Sequence, residues 1–311
     1  MQNLEPPLIS IVTPSYNQGR YIRATIESVL GQDYPRIEYW IIDGGSTDET
    51  LEVIRAYEHD PRLRWISERD RGQSDAINKG LARCSGELFA WLNSDDMLLP
   101  GALTRVAEAW QAHGPALIYG LARHIDSEGR DLGACPMQSS RLSLASILAL
   151  RSIPMQPATF APTETVRAMG GVDESLHFTM DFDLWVRLAA QLPIRHIPEY
   201  IALYRLHAES KTVALSTRFI ADVKAVLAKA TAAGILSPRQ AEGYRALFAA
   251  RVLLTPESRD LPRALGELGR ALRASPRLAP DAARALLASA ARLALGEQLW
   301  GHVRGLRARM G

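Results

Sequence analysis

Only two cysteines, Cys84 and Cys135, occur in 311 residues. Their separation matches neither zinc-ligand nor CxxC spacing, and so few thiols do not staple a secreted scaffold. Such usage fits a reducing cytoplasm. No charge-free apolar run of about 18 residues occurs, so a bilayer-spanning helix is not expected. Residues 1–7 hold no basic segment followed by an apolar stretch, so a signal peptide is not expected either. Glycine-rich phosphate fingerprints are also absent. No GxGxxG follows the first strand-like run and no glycine-rich loop ends in lysine, which argues against a dehydrogenase or a nucleotidyltransferase.

What is present is ordinary globular material. Hydrophobic residues make up 47% and charged residues 23% of the chain, without low-complexity tracts, so a packed core is expected rather than disorder. The length suits one large domain with an appendage. Charge is unevenly spread. From Lys211 onward 17 Lys and Arg face 7 Asp and Glu, a balance of +10, which leaves −8 before it.

The first 130 or so residues alternate between two periods. Strand-like runs at Leu8–Val12, Glu38–Ile42, Leu63–Ile66, Leu88–Leu92 and Ala116–Tyr119 are separated by apolar residues at helical spacing, among them Ile22, Ile26 and Val29. This alternation predicts a largely parallel sheet with crossover helices. Ser46 and Glu49 match a capping box and predict a helix start there. A turn at Ser127–Arg130 precedes a mixed region with helices near Leu142–Leu150, Glu164–Met169 and Asp181–Ala190, and a last strand over Ile194–Tyr204. After about Thr212 an Ala/Leu/Arg-rich stretch is cut by Pro238, Pro256, Pro262, Pro276 and Pro280 into short helices. We therefore divide the chain into an α/β domain over 1–211 and a helical domain over 212–311.

Ligands of open α/β sheets bind at the carboxyl ends of the strands. The residues there are Thr13-Pro14-Ser15-Tyr16-Asn17, Asp43-Gly44-Gly45-Ser46, Glu68-Arg69-Asp70-Arg71-Gly72-Gln73 and Asn93-Ser94-Asp95-Asp96. Taken singly, each has a plain structural reading as a turn, a loop aromatic or a solvated charge. Their chemical readings are that Tyr16 offers a flat surface to a nucleobase and Arg71 a guanidinium to a diphosphate. The adjacent acids Asp95 and Asp96 repel unless a cation compensates them. Mg²⁺ or Mn²⁺ suits such a pair, because these ions take one or two carboxylates and complete their shell with phosphate oxygens and water.

Together with Glu27-Ser28-Val29-Leu30-Gly31-Gln32-Asp33-Tyr34-Pro35 and Ile42-Asp43-Gly44-Gly45-Ser46-Thr47-Asp48, these motifs resemble family 2 glycosyltransferases over residues 8 to about 210. The resemblance implies a GT-A fold, a Rossmann-like mixed and mainly parallel sheet flanked by helices, here with an all-helical C-terminal appendage. It also implies an inverting transfer from a nucleotide sugar, with UDP- or dTDP-sugars as leading donors and a glycan or lipid-linked hydroxyl as acceptor. The setting implied is bacterial cell-surface polysaccharide or lipopolysaccharide assembly in the cytoplasm, on or near the inner face of the membrane.

By that resemblance Thr13, Pro14, Tyr16 and Asp43 hold the nucleoside, with Asp43 accepting from the base. Arg71, Gln73, Asp75, Ser94 and Asp95 border the donor. Asp96 is the more direct ligand of a divalent metal, with Asp95 beside it and His207 close to the metal. Thr179-Met180-Asp181-Phe182-Asp183 resembles the family's acidic helix start, with Met180 where many members carry Glu, and makes Asp181 the general base. Asp183, two residues on, is the competing candidate for the base, but it faces another way and its plain structural reading is a helix-capping acid. A processive synthase is disfavoured, since membrane helices and a QxxRW motif are absent. The alternative function is a non-catalytic nucleotide-sugar-binding module, which the lost Glu at position 180 keeps open. The basic C-terminal region, with Arg-rich helices such as Ala283–Arg309, is read either as a peripheral membrane contact or as an ordinary bundle that supports a homodimer. Nucleic acid is not an expected partner, given the acidic front.

Overall fold

β-Branched and aromatic side chains on both faces of successive segments make the strands of a doubly covered sheet. In the computed structural model, which describes residues 5–207, 217–254 and 260–294, β1 (Ile9–Ser15) is buried throughout and β2 (Ile37–Asp43) nearly so. They are followed by β3 (Leu63–Ser67) and β4 (Leu88–Trp91), and the crossovers are α1 (Gly19–Leu30), α2 (Thr50–Arg55) and α3 (Gln73–Leu81). Then come β5 (Met97–Leu98), α4 (Ala102–His113), β6 (Leu117–Ile125), β7 (Asp131–Ala134), α5 (Leu144–Leu148), β8 (Thr159–Pro162), α6 (Thr163–Ala168), α7 (Met180–Gln191) and β9 (Ile194–Arg205).

The strand order is β3-β2-β1-β4-β8-β6-β9-β5, with β7 paired to β6. Strands β3, β2, β1 and β4 are mutually parallel; β8 runs against both β4 and β6, and β9 is parallel to β6. Among the described residues, six strands therefore share one direction, and their carboxyl ends open on one edge. This is the mixed, mainly parallel sheet the alternation predicts. The three strands that run the other way, β5, β7 and β8, are short and carry no periodic signal of their own.

The core forms as the spacing requires. Ile22, Ile26 and Val29 of α1 and Leu103 and Val106 of α4 pack with Ile9, Ile11, Ile41, Leu88 and Ile118 of the sheet. At about 25 cal/mol per Å² of apolar surface removed from water, each fully buried Ile or Leu contributes roughly 1.5–3 kcal/mol. On α3, Gly80 lets the helix approach β1, because a Cβ there would lie 2.4 Å from Val12 Cγ1.

One local expectation fails. Ser46 does not cap a helix, because Asp43 captures its backbone N–H and its hydroxyl. Helix α2 starts later, at Thr50, where Asp48 accepts from the Thr50 N–H at 3.1 Å. A capping box does form at the start of α9, between Ser237 and Gln240.

Contacts divide the chain into two compact units, 1–143 with 153–206, and 144–152 with 207–311. The sequence division at 211/212 is contiguous, whereas the helical unit also takes in the α5 segment, because Ala149 packs with Ala246, Leu247, Ala250 and Leu268. This second unit contains α8 (Thr217–Ala232), α9 (Pro238–Leu253), α10 (Leu261–Ala274) and α11 (Ala279–Ala294). Pro238 and Pro262 stand in the first turns of α9 and α10, where a missing N–H costs nothing. Pro256, residues 208–216 and the 295–309 part of the Arg-rich segment lie outside the described residues. Among the described residues no helix is long and apolar enough to cross a membrane.

Gly80→Ala tests the α3–β1 contact. The extra methyl has no room, so unfolding by denaturant is expected to show a loss of about 1–3 kcal/mol, although alanine is the better helix former.

Candidate active site

Parallel register sets the last residues of the first strands side by side, with Ser15 opposite Asp43 and Asp43 opposite Ser67. Asp43 is fully buried there. Its carboxylate accepts from Gly45 N at 3.0 Å, Ser46 N at 2.9 Å, Ser46 Oγ at 2.5 Å and Ser67 Oγ at 2.6 Å. Four donors are about what a carboxylate can accept. In this structure the Asp43 side chain, expected to meet the base, organises the loop that follows it and is turned away from solvent. Gly44 leaves no room for a side chain, since a Cβ would lie 2.6 Å from Asp70 Oδ2.

The loops after β1 and β2 are laced together. Asn17 N donates to Ser46 Oγ at 2.8 Å, Thr47 N to Asn17 Oδ1 at 2.9 Å, and Gly19 N to Asp48 Oδ2 at 3.0 Å. Asn17 holds a positive φ of 51°, which asparagine tolerates better than most residues. Held on this frame, Tyr16 stands out with 59% of its surface exposed. Thr13 and Pro14, expected beside it at the donor, are buried instead, with Thr13 Oγ1 3.0 Å from the Tyr39 hydroxyl. Of the three, Tyr16 alone offers a surface.

Arg71 follows β3 with its side chain 74% exposed, bound at 2.8 Å to both Asp75 and Glu174. The guanidinium beside Asp75 holds that carboxyl below its ordinary range. Asp75 is itself buried and also receives Lys79 at 3.4 Å, so it steers Arg71 rather than facing a ligand. Gln73 Nε2 donates to Asn93 Oδ1 at 2.7 Å, and Asn93 Nδ2 donates to Gln156 Oε1 at 3.0 Å. Gln156 in turn donates to Trp91 O at 2.6 Å. This polar bridge joins the β3–α3 loop to the acidic loop. Gln156 was not found from sequence because its only signal is its position between apolar residues.

The acidic pair splits into two environments. Asp96 is 1% exposed. Its Oδ1 accepts from Arg205 N at 2.9 Å and its Oδ2 from Asn93 Nδ2 at 3.2 Å. Burial, and then the neighbouring Asp95 charge, push its carboxyl well above the ordinary value. Asp95 is half-buried and Ser94 buried. Asp96, expected to be the more direct metal ligand, is bonded into the protein, and Asp95 is the carboxylate nearer solvent. His207 is buried, two residues beyond the end of β9, and begins the second compact unit.

The N-terminus of α7 presents the other acids. Asp183 is 2% exposed and bound to Arg187 at 2.7 Å. Arg187 also reaches Met169 O and Gly171 O, so Asp183 anchors the turn before α7 rather than capping the helix. Asp181 is half-buried; its Oδ1 accepts from Phe182 N at 2.7 Å, and burial raises its carboxyl above the ordinary value. Met180 is buried and its sulfur accepts from Ser74 Oγ at 3.0 Å. That contact ties the start of α7 to the start of α3, next to Gln73. An apolar residue thus fills a position where a second acid beside Asp181 would be desolvated.

A divalent ion is implied by the sequence resemblance, and the donor set fits one. Among the described residues no three His, Cys, Asp or Glu side chains converge. A closed protein-only cage is therefore not formed, whereas one half-buried carboxylate at a strand end suits Mg²⁺ or Mn²⁺, which keep water and substrate oxygens as ligands.

Comparison with known proteins agrees with this geometry. Residues 10–161 match the family described as Glycosyl transferase family 2. The chondroitin synthase of Escherichia coli is 32% identical over 213 residues, covering 67% of this chain and 30% of that protein. The chain spans about a third of the length of the curated relatives that match it first. Residues 1–349 of Staphylococcus aureus TarS, solved with UDP-GlcNAc, align over 86% of this chain and 81% of that one at 18% identity and a TM-score of 0.65. The mannosyltransferase PcManGT of Pyrobaculum calidifontis, solved with GDP-Man and Mn²⁺, aligns over 98% of this chain and 85% of that one at 21% identity and a TM-score of 0.60. At these identities the likeness shows the fold.

Asp181 and Asp183 make opposite predictions. Breaking a buried ion pair leaves an uncompensated charge, so Asp183→Asn is expected to lower stability by about 3 kcal/mol, at the low end for such pairs because Arg187 keeps some exposure. For Asp181 the raised pKa means that the folded chain holds the proton more tightly than the unfolded one. The resulting penalty is absent below the unfolded carboxyl value of about 3.9 and grows as pH rises through the window up to the folded value. Asp181→Asn is thus expected to melt no lower than wild type at pH 7, with the advantage gone near pH 4; calorimetric melts across this range check both.

Proposed function

Because this chain belongs to the family 2 glycosyltransferases, we propose that it moves a sugar from a nucleoside-diphosphate sugar to an acceptor hydroxyl with inversion. The observation that carries this reading is the separation of two half-buried carboxylates, Asp95 after β4 and Asp181 at the start of α7, on a sheet edge that also bears Tyr16 and Arg71. One acid would meet a cation and the other would take a proton. A carboxylate bound to a metal cannot do both.

In the proposed reaction the nucleobase stacks on Tyr16 and Arg71 turns from Glu174 toward the diphosphate, where a fork of donors is worth more than on an exposed acid. Asp95 would hold the divalent ion. When bound, the ion neutralises charge on the departing diphosphate. Asp181 accepts the proton of the attacking hydroxyl; its raised affinity for protons makes it a better base at neutral pH than an ordinary carboxylate. A single in-line displacement then inverts the anomeric centre. The solved neighbours with UDP-GlcNAc and GDP-Man support a nucleotide-sugar donor as a class. We favour UDP or dTDP as the carrier and a glycan or lipid-linked acceptor, in bacterial cell-surface polysaccharide or lipopolysaccharide assembly at the cytoplasmic face of the membrane. The basic balance of +10 from Lys211 onward supports placing the helical region against an anionic surface or a second copy.

Calorimetric titration with UDP, dTDP, GDP and their sugars, with and without Mn²⁺, tests the site. Metal-dependent binding of one nucleotide is expected in wild type and lost in Asp95→Asn, with the melting temperature retained. Asp181→Asn is expected to keep donor binding while transfer falls about a hundred- to ten-thousand-fold. Nucleotide binding without transfer by wild type to any of a broad set of acceptors would leave a binding module instead.

A further inference from the structure

We infer that Glu174, in the loop between α6 and α7, competes with the donor's diphosphate for the guanidinium of Arg71 and so sets how strongly the site answers to phosphate. This rests on the reading of Arg71 proposed above. Glu174 is held in place rather than loose on the surface. Its Oε1 accepts from Asn78 Nδ2 at 3.2 Å, and its Oε2 lies 2.8 Å from Arg71 Nη2. Asn78, on α3, is itself fixed, because its Nδ2 donates to Val172 O at 2.9 Å and its Oδ1 accepts from Val172 N at 3.0 Å. One amide thus holds both the main chain just before Glu174 and the Glu174 carboxylate. The far end of the loop is held to the same helix, where Ser74 Oγ donates to Met180 Sδ at 3.0 Å.

Exposed ion pairs are weak in part because two long side chains must be ordered to make them. Asn78 lowers that cost by ordering Glu174 in advance. The pair is nevertheless built to open. Asp75 Oδ1 and Glu174 Oε2 both lie 2.8 Å from Arg71 Nη2, so two like charges converge on one nitrogen. A further anion at that guanidinium drives one of them out. Asp75 stays, since its side chain is 8% exposed, accepts from Arg71 N at 3.1 Å and also pairs with Lys79. Glu174, with 36% of its side chain exposed, turns its carboxylate into water instead. A diphosphate takes its place because its several charged oxygens suit the planar fork better than one carboxylate oxygen does. A nucleoside without phosphate brings nothing that displaces Glu174 and leaves the pair closed. Only ligands that bind through phosphate therefore work against Glu174.

The test is calorimetric titration of the full chain with UDP and with uridine, at constant Mn²⁺. Glu174→Gln keeps the size and an oxygen for Asn78 but removes the charge. It is expected to bind UDP about two- to fivefold more tightly than wild type, the range that an exposed ion pair supports, and to bind uridine as wild type does. Glu174→Ala is expected to shift UDP binding in the same direction, which separates charge from side-chain fit. Arg71→Gln is expected to weaken UDP binding about tenfold, and Glu174→Gln added to it is expected to change UDP affinity no further. Unchanged or weaker UDP binding by Glu174→Gln overturns the inference. Equal tightening in the Arg71→Gln background, or of uridine as much as UDP, overturns it too, because the effect then does not run through the guanidinium. Unchanged UDP binding by Arg71→Gln overturns the reading of Arg71 as the diphosphate grip and takes this inference with it. Wild type that binds none of UDP, dTDP and GDP overturns the donor reading itself.

Discussion

Asp96 and Arg205 meet at the edge of the sheet where the chain has the most to lose from an unpaired charge. A carboxylate with 1% exposure is tolerable only because a backbone N–H, a side-chain amide and a neighbouring guanidinium surround it. The junction unites segments far apart in sequence, since Thr25 Oγ1 on α1 donates to Asp96 O at 2.8 Å and Arg205 also holds the turn after β6. The ends of β4, β6 and β9 and the face of α1 are thus tied at one place. What lies on that edge, including Asp95, takes its position from this knot.

The same division of labour recurs along the edge. Asp43 saturates itself on Ser46, Ser67 and the loop backbone, and the frame so made carries Tyr16. Asp183 is consumed by Arg187, and the helix so anchored carries Asp181. In each case a buried acid is satisfied within the protein and a neighbour two residues away or less, or across a laced loop, remains half-exposed or exposed. Burying one acid fully lowers the freedom of the backbone that presents the other. Preorganisation of this kind is what electrostatic catalysis demands, because donors and charges must already be in place when charge develops.

Much of the fold was legible because it is written in period. Apolar runs with β-branched residues became β1, β2, β3 and β4, and the helical spacing of Ile22, Ile26 and Val29 became the buried face of α1. The short strands β5, β7 and β8 were not legible: two to four residues carry no period, and they are strands only because β9, β6 and β4 offer them edges. The Ser46 capping signal was present but lost a competition with Asp43, which is adjacent only once β2 has ended.

Sequence alone determined which residue types gather at the strand ends and therefore the class of chemistry: an exposed aromatic, an arginine, paired acids and a separate acid at a helix start. It could not rank the acids within each pair, because Asp95 and Asp96, like Asp181 and Asp183, are alike in composition and differ only in surroundings. Tertiary structure decided that ranking. Arg205 lies 109 residues from Asp96 and closes on it only when β9 joins the sheet, and the carboxylate that faces that closure is buried while its neighbour stays half-buried.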